Sequence, residues 1–148
     1  MQNKIPPPVI TLLNIYIIYS INQVFPKFYF PYQSIVSIFV GIEAVLIIFF
    51  AIKEFKKAAT TISPLQINQV SSFVTTGIFR FTRNPMYLGL TSLQLAAGIY
   101  FGNWLMVVVV PMFIFYITFY QIIPEEKVLN RKFGNDFKIY SSKVGRWL

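Results

Sequence analysis

Four apolar segments constrain the fold of this 148-residue chain more than any other feature. They span residues 9–25, 33–52, 85–101 and 104–123, and each has 17 to 20 residues, about the length that crosses a hydrocarbon core as a helix. Hydrophobic residues make up 55% of the chain and charged residues 12%, about half the charged fraction of a typical soluble domain. The sequence therefore predicts an all-α membrane bundle of about four transmembrane helices.

The residue types that are missing limit the chemistry. The chain has no Cys and no His, which excludes Cys nucleophiles, disulfides, His bases and ordinary zinc sites. With five Asp and Glu residues in all, a cage of carboxylates around a metal ion is not expected. We therefore expect chemistry that needs little proton transfer, and no metal site.

The basic residues predict the orientation. A net charge of +8 in a soluble protein would suggest nucleic acid, but here the charges sort by side of the membrane. With four crossings, twelve of the thirteen Lys and Arg residues fall on one face, and Lys27 falls on the other. The positive-inside rule makes the crowded face cytoplasmic, with both termini. The C-terminal basic residues could also bind anionic lipid. We expect a lipid bilayer as partner and no nucleic acid, and the oligomeric state is open.

A single domain over residues 1–148 fits this plan. Residues 1–61 hold two N-terminal spans, residues 62–84 form a cytoplasmic loop, residues 85–123 form a helical hairpin with a tight turn at 100–104, and residues 124–148 form cytoplasmic helices. A spacing of three or four residues predicts an amphipathic C-terminal face of Leu129, Phe133, Phe137, Tyr140 and Val144.

Two polar motifs flank the predicted hairpin. Residues 76–89 read Thr-Gly-Ile-Phe-Arg-Phe-Thr-Arg-Asn-Pro-Met-Tyr-Leu-Gly, and residues 124–134 read Pro-Glu-Glu-Lys-Val-Leu-Asn-Arg-Lys-Phe-Gly. About 35 apolar residues separate them, enough for two crossings joined by a tight turn. Because a hairpin returns to its starting face, both motifs should meet at one membrane surface. This layout predicts a cofactor site there.

Each motif also has a structural explanation. Asn84 and Pro85 suit an N-cap and a first helical position, and Pro124 with Glu125 and Glu126 suits another helix start. Taken together, however, these groups are costly in a medium of low dielectric constant unless they are paired or bind a ligand. A zwitterion would satisfy them, because Arg can hold a carboxylate while Glu can hold an ammonium or two ribose hydroxyls.

The two motifs resemble those of the integral-membrane isoprenylcysteine carboxyl methyltransferases and phospholipid methyltransferases. Nearly every position matches over residues 76–89 and 125–140. The resemblance implies S-adenosyl-L-methionine as cofactor, a lipophilic or lipid substrate that enters from the membrane, and a pocket lined by Arg83, Asn84, Tyr87, Gly89, Glu125 and Glu126. It implies catalytic positions for Arg83, Asn84 and Tyr87. Methyl transfer from a sulfonium requires positioning and electrostatics more than acid–base groups.

One departure leaves the methyl acceptor open. Asn84 stands where the family pattern has His, and the sequence Asn-Pro-Met-Tyr that it begins is similar to phosphatidylethanolamine N-methyltransferases. The second motif is similar to the carboxyl methyltransferases, so the acceptor is either a carboxylate or an amine. Two other functions are considered: an NADPH-dependent membrane reductase of the sterol reductase type, and a non-catalytic membrane protein that retains the fold.

Glu43 is an additional candidate near the middle of the second apolar segment. A carboxylate inside a membrane is a functional candidate by default. The structural alternative is a hydrogen bond to a polar partner such as Asn14 or Gln94.

Overall fold

The computed structural model describes residues 5–58 and 73–148 of the chain. Its α-helices are α1 (Pro7–Ser20), α2 (Gln33–Lys57), α3 (Pro85–Phe101), α4 (Met106–Ile117) and α5 (Ile123–Lys143). A 3-10 turn, Gly77–Arg80, precedes α3, and a π-helical turn, Thr118–Ile122, joins α4 to α5 without a break. The described part of the chain is all-helical and contains no strand, as the sequence predicts. Residues 62–72 of the predicted cytoplasmic loop lie outside the described residues.

Two helices are long and apolar enough to cross a membrane. They are α2, with 25 residues, and the helical stretch Met106–Lys143, with 38 residues and a kink at Gly134. Helix α1 is apolar but has 14 residues, and α3 has 17. Large apolar side chains such as Phe39 and Phe115 are exposed on the two long helices, as expected for groups that lipid would cover. These helices are compatible with a membrane protein, and the count of four crossings stays a prediction.

Helix α3 packs closely against α2 at Gly89. A Cβ atom built on this glycine would lie 2.5 Å from Cγ1 of Ile48 and 2.9 Å from the backbone oxygen of Ala44. Farther along the same interface, the hydroxyl of Ser37 donates a 3.1 Å hydrogen bond to the backbone oxygen of Ala96. Small residues here let the two backbones approach, which is how membrane helices commonly associate.

Polar side chains join α1 to α3 inside the apolar bundle. The side-chain amide of Asn14 donates a 2.8 Å hydrogen bond to Oε1 of Gln94, and Nε2 of Gln94 donates to Thr11 Oγ1 at 3.3 Å. Gln94 is completely buried, so this bonding satisfies an amide that would otherwise be costly. Since Asn14 and Gln94 pair with each other, the structural alternative for Glu43 finds no support, and Glu43 is exposed on α2.

Residues 100–104 connect the end of α3 to the start of α4. Helix α3 ends at Gly102, which adopts the left-handed conformation with φ of 60°. Asn103 is fully buried, and its side-chain nitrogen donates to the backbone oxygen of Ile18 at 3.1 Å while its Oδ1 accepts from the backbone N–H of Leu105 at 2.9 Å. The turn is thereby fixed to the end of α1, and α4 runs back toward the motifs.

Candidate functional site

Glu126, near the start of α5, is the centre of a charged cluster. Arg146 donates to both of its oxygens, from Nε to Oε1 at 3.0 Å and from Nη2 to Oε2 at 2.7 Å. Arg83, which precedes α3, brings its Nη2 to 3.1 Å from Oε1. Charge-assisted bidentate pairs are among the stronger hydrogen bonds in proteins, and this one raises the pKa of Arg146. One carboxylate therefore connects three segments of the chain.

Glu125 faces a different set of partners. Its Oε1 accepts a 2.7 Å hydrogen bond from the hydroxyl of Tyr87, on α3, and a 2.6 Å bond from Nε2 of Gln121, in the π-helical turn. Glu125 lies just beyond the apolar residues 106–123. Burial raises the pKa of Glu125 to about 7, although the bonds from Gln121 and Tyr87 act in the opposite direction. This carboxyl group therefore retains its proton to a higher pH than an exposed glutamate does.

Asn84 has the predicted position but not the predicted bond. It precedes Pro85 at the start of α3, yet its side chain makes no capping hydrogen bond. Its Nδ2 instead donates to the backbone oxygen of Arg146 at 2.9 Å. The neighbouring backbone N–H of Arg83 donates to the oxygen of Gly145 at 3.0 Å. Asn84 therefore fixes the C-terminal segment beside α3.

The part of α5 that follows a break in the helix packs against this cluster. Gly134 has φ of 52° and ψ of −119°, so the helix is broken there. Beyond the break, the Phe137 ring lies 6.0 Å from the guanidinium carbon of Arg83, within the range of a cation–π contact. The hydroxyl of Tyr140 donates to the backbone oxygen of Phe79 at 2.7 Å. The two aromatic residues hold the 3-10 turn and Arg83 in place.

The π-helical turn is anchored by the last residues of the chain. Nε1 of Trp147 donates a 3.1 Å hydrogen bond to the hydroxyl of Thr118, which itself donates to the backbone oxygen of Ile114 at 2.7 Å. Short π-helical turns inside α-helices often occur at functional sites. Here the turn contains Gln121, the residue that contacts Glu125.

Two buried polar atoms of the cluster have no hydrogen-bond partner. In residues 5–58 and 73–148 such atoms are Nε of Arg83, Oε1 of Gln121 and Oδ1 of Asn22, and Asn22 belongs to the connection after α1. A buried polar atom without a partner costs about 1–3 kcal/mol. The free donor is Nε of the positively charged Arg83. The free acceptor is Oε1 of Gln121, whose side chain is bonded to the carboxyl group of Glu125. This pair of groups fits the carboxylate and the ammonium of an amino acid.

The structure brings together five of the six predicted site residues: Arg83, Asn84, Tyr87, Glu125 and Glu126. Gly89 instead faces Ala44 and Ile48 of α2. Its assignment to the cofactor pocket stays a prediction, beside an evident packing role.

Gln121 and Arg146 are further members of the cluster that the sequence reasoning did not identify. The spacing of four residues between Gln121 and Glu125 was a visible signal, since such residues are neighbours on a helix. Arg146 offered no comparable signal for its bond to Glu126, twenty residues away.

Residues 30–136 match the family model described as phospholipid methyltransferase. The chain belongs to the phospholipid methyltransferase family. The matched range contains Arg83, Asn84, Tyr87 and both glutamates, while Arg146 lies outside it. The resemblance inferred from the two motifs is confirmed, and the chain is, at this coarse level, a membrane methyltransferase.

One relative is an uncharacterized protein of Haemophilus influenzae (strain ATCC 51907 / DSM 11121 / KW20 / Rd). It is 43% identical over 63 residues, which is 43% of this chain and 100% of the relative. No solved structure matches this member of the phospholipid methyltransferase family significantly.

Proposed function

We propose that this protein is a multi-pass membrane enzyme that transfers a methyl group from S-adenosyl-L-methionine to a small lipophilic or lipid acceptor, either a carboxylate or an amine. One observation carries the proposal. The start of α3, the start of α5 and the C-terminal segment converge on Glu126, and the same cluster holds a free buried donor and a free buried acceptor.

The residues of the cluster suit the two charges of the cofactor's amino acid end. Arg83 has Nε available and can hold the carboxylate, because its Nη2 alone is used for Glu126. Glu125 and Glu126 are the carboxylates that can hold the ammonium or the ribose hydroxyls. When bound, S-adenosyl-L-methionine supplies an electrophilic methyl group on a sulfonium. The chain's contribution is to orient the donor and the acceptor, which can provide several kcal/mol of the rate enhancement.

If the methyl acceptor is an amine, Glu125 would have a specific role in the reaction. An ammonium acceptor must lose a proton before its nitrogen can attack a methyl group. A carboxylate whose pKa is about 7 can accept that proton at neutral pH. Oε1 of Glu125 already accepts from the hydroxyl of Tyr87 at 2.7 Å and from Nε2 of Gln121 at 2.6 Å, so Oε2 is the oxygen that would receive the proton. A carboxylate acceptor is already ionised and would need no such step.

The site is proposed to face the cytoplasm, with both termini on that side. The support is the charge count under the four-span plan, in which Lys27 alone among the Lys and Arg residues falls on the opposite face. Arg83, Arg146 and the two glutamates would then lie at the surface from which a water-soluble cofactor enters, while a lipophilic acceptor would arrive from the bilayer.

Binding measurements on the purified protein test the cofactor. Calorimetric titration with S-adenosylhomocysteine should show saturable binding, and titration with NADPH should show none. Incubation with methyl-labelled S-adenosyl-L-methionine and a total lipid extract should then label a lipid, whose identification settles the acceptor. Binding of NADPH alone would support the reductase alternative, and binding of neither ligand would support a non-catalytic protein.

A further inference from the structure

Gln121 uses only half of its hydrogen-bonding capacity inside the protein. The side chain is 5% exposed, and its Nε2 donates a 2.6 Å hydrogen bond to Oε1 of Glu125. Its own Oε1 is buried and has no partner among the described residues. The assignment of the two amide atoms is fixed by Glu125, because exchanging them would place an oxygen against the carboxylate. The free atom is therefore the acceptor.

Gln94 shows that this chain can satisfy a buried glutamine completely. That side chain is fully buried on α3, where Oε1 accepts from Asn14 at 2.8 Å and Nε2 donates to Thr11 and to the backbone oxygen of Leu90, both at 3.3 Å. The free oxygen of Gln121 is thus not a general property of buried glutamines here. It belongs to the π-helical turn beside the predicted site.

The surroundings of this oxygen define the ligand group that it can accept. The carboxyl group of Glu125 is bonded to the same side chain at 2.6 Å, and Nη2 of Arg83 and of Arg146 is engaged with Glu126. A carboxylate or phosphate placed between Oε1 of Gln121 and Glu125 would therefore meet two acceptors. A positively charged nitrogen would donate hydrogen bonds from its N–H groups to both oxygens, which is the charge-assisted arrangement.

We propose that Oε1 of Gln121 binds a protonated or neutral amine of a ligand, together with the carboxylate of Glu125. The inference rests on the proposed function and adds a binding residue to it. Two sources share this chemistry: the amino group at the amino acid end of the cofactor, and the amine of a lipid acceptor.

The test uses the full-length protein with Gln121→Met, which has a similar length but lacks both polar atoms. One arm measures the binding of S-adenosylhomocysteine and of 5′-methylthioadenosine, which lacks the amino acid end. If the oxygen binds the cofactor's amino group, the variant should bind S-adenosylhomocysteine about tenfold more weakly and 5′-methylthioadenosine as the wild type does. The second arm measures methyl labelling of phosphatidylethanolamine in mixed micelles. If the oxygen binds an acceptor amine, nucleoside binding should be unchanged while half-maximal labelling requires about tenfold more lipid.

One further variant separates contact from distortion. Gln94→Met removes an equally buried but satisfied glutamine, so it should lower thermal stability and leave both arms unchanged.

The contact is overturned if Gln121→Met leaves both arms unchanged, weakens the two nucleosides equally, or shows a loss that Gln94→Met matches. Failure of the wild-type protein to bind S-adenosylhomocysteine would instead remove the proposed cofactor itself. The two failures are therefore distinguishable.

Discussion

Arg146 and Glu126 form a bidentate ion pair that joins the C-terminal segment to the start of α5. The two nitrogen–oxygen distances are 3.0 and 2.7 Å. The same carboxylate receives Arg83 at 3.1 Å, so the positions of two arginines depend on it. Because Arg83 and Glu126 are only slightly exposed, with 14% and 18% of their side chains accessible, solvent can compensate little for the loss of either partner.

Glu126→Gln should therefore weaken S-adenosylhomocysteine binding by about 1.5–3 kcal/mol, a tenfold loss or more. The neutral amide retains the size of the side chain but cannot balance two arginines, so Arg83 is displaced from its place. Calorimetry on the folded variant measures the effect. Asp136→Asn is the matched control, since Asp136 is an exposed carboxylate on the same helix and its neutralisation should leave binding unchanged. Equal affinities for wild type and Glu126→Gln would reduce Glu126 to a structural group.

Substitutions of Asn84 test whether it acts as a helix cap or as a donor to Arg146. A cap would tolerate Asp, which is a good N-cap residue. The structure gives the opposite expectation, because Nδ2 of Asn84 donates to a backbone oxygen and an Asp oxygen there would be repelled. We expect Asn84→Asp to lower thermal stability at least as much as Asn84→Ala, each by about 1 kcal/mol or more, and both to reduce turnover. Full stability of Asn84→Asp would restore the cap interpretation.

Gly89→Ala tests whether the glycine serves helix packing. The added methyl would meet Ile48 and the backbone of Ala44, so we expect a loss of about 1–3 kcal/mol in the free energy of unfolding. Gly41→Ala is the control on the facing helix, because its Cβ would lie 3.9 Å from Ala96, an ordinary contact. Thermal unfolding in detergent compares the two variants. If cofactor affinity falls in Gly89→Ala while stability does not, Gly89 belongs to the pocket after all.

The meeting of the two motifs could be predicted because a hairpin fixes which ends are neighbours. That rule predicts that the motifs meet but not which residues pair, and the structure pairs Tyr87 with Glu125 and Arg83 with Glu126. Helix geometry also predicts which way Gly89 faces relative to Tyr87. Residues two apart on an α-helix point to nearly opposite sides, so Gly89 and Tyr87 cannot both face the same cluster.

Other features of the site could not be derived from the sequence. The π-helical turn has more residues per turn than an α-helix, so it changes the direction in which Gln121 points. No residue pattern in the sequence predicts this turn. The pairing of Arg146 with Glu126 depends on how the last residues fold back across α3, through the bonds from Asn84 and Arg83 to the backbone at 145–146. Such tertiary contacts follow from packing and not from local preference.

The raised pKa of Glu125 predicts a characteristic pH dependence of stability. The folded protein binds a proton here up to a pKa of about 7, whereas the unfolded chain releases it near the ordinary value of 4.5. The stabilisation from this group is therefore complete below about pH 4.5 and is lost as the pH rises through about 7. Relative to Glu125→Gln, wild type should lose thermal stability between these values and stay constant above them. Parallel pH profiles for the two proteins would contradict a buried, raised Glu125.

Cysteine labelling at Tyr29 and Ser142 decides the number of crossings and the side of the site. The chain has no native Cys, so each substitution introduces a single thiol, and both positions are exposed in the structure. If all four predicted segments cross, three crossings separate the two positions, which then lie on opposite sides. If only α2 and the helix Met106–Lys143 cross, two crossings separate them and both lie on one side. We expect Tyr29→Cys to react with an impermeant maleimide on intact cells, and Ser142→Cys to react only after permeabilisation. Labelling of both on intact cells would contradict the four-span plan, and labelling of Ser142→Cys alone would place the cluster around Glu126 outside.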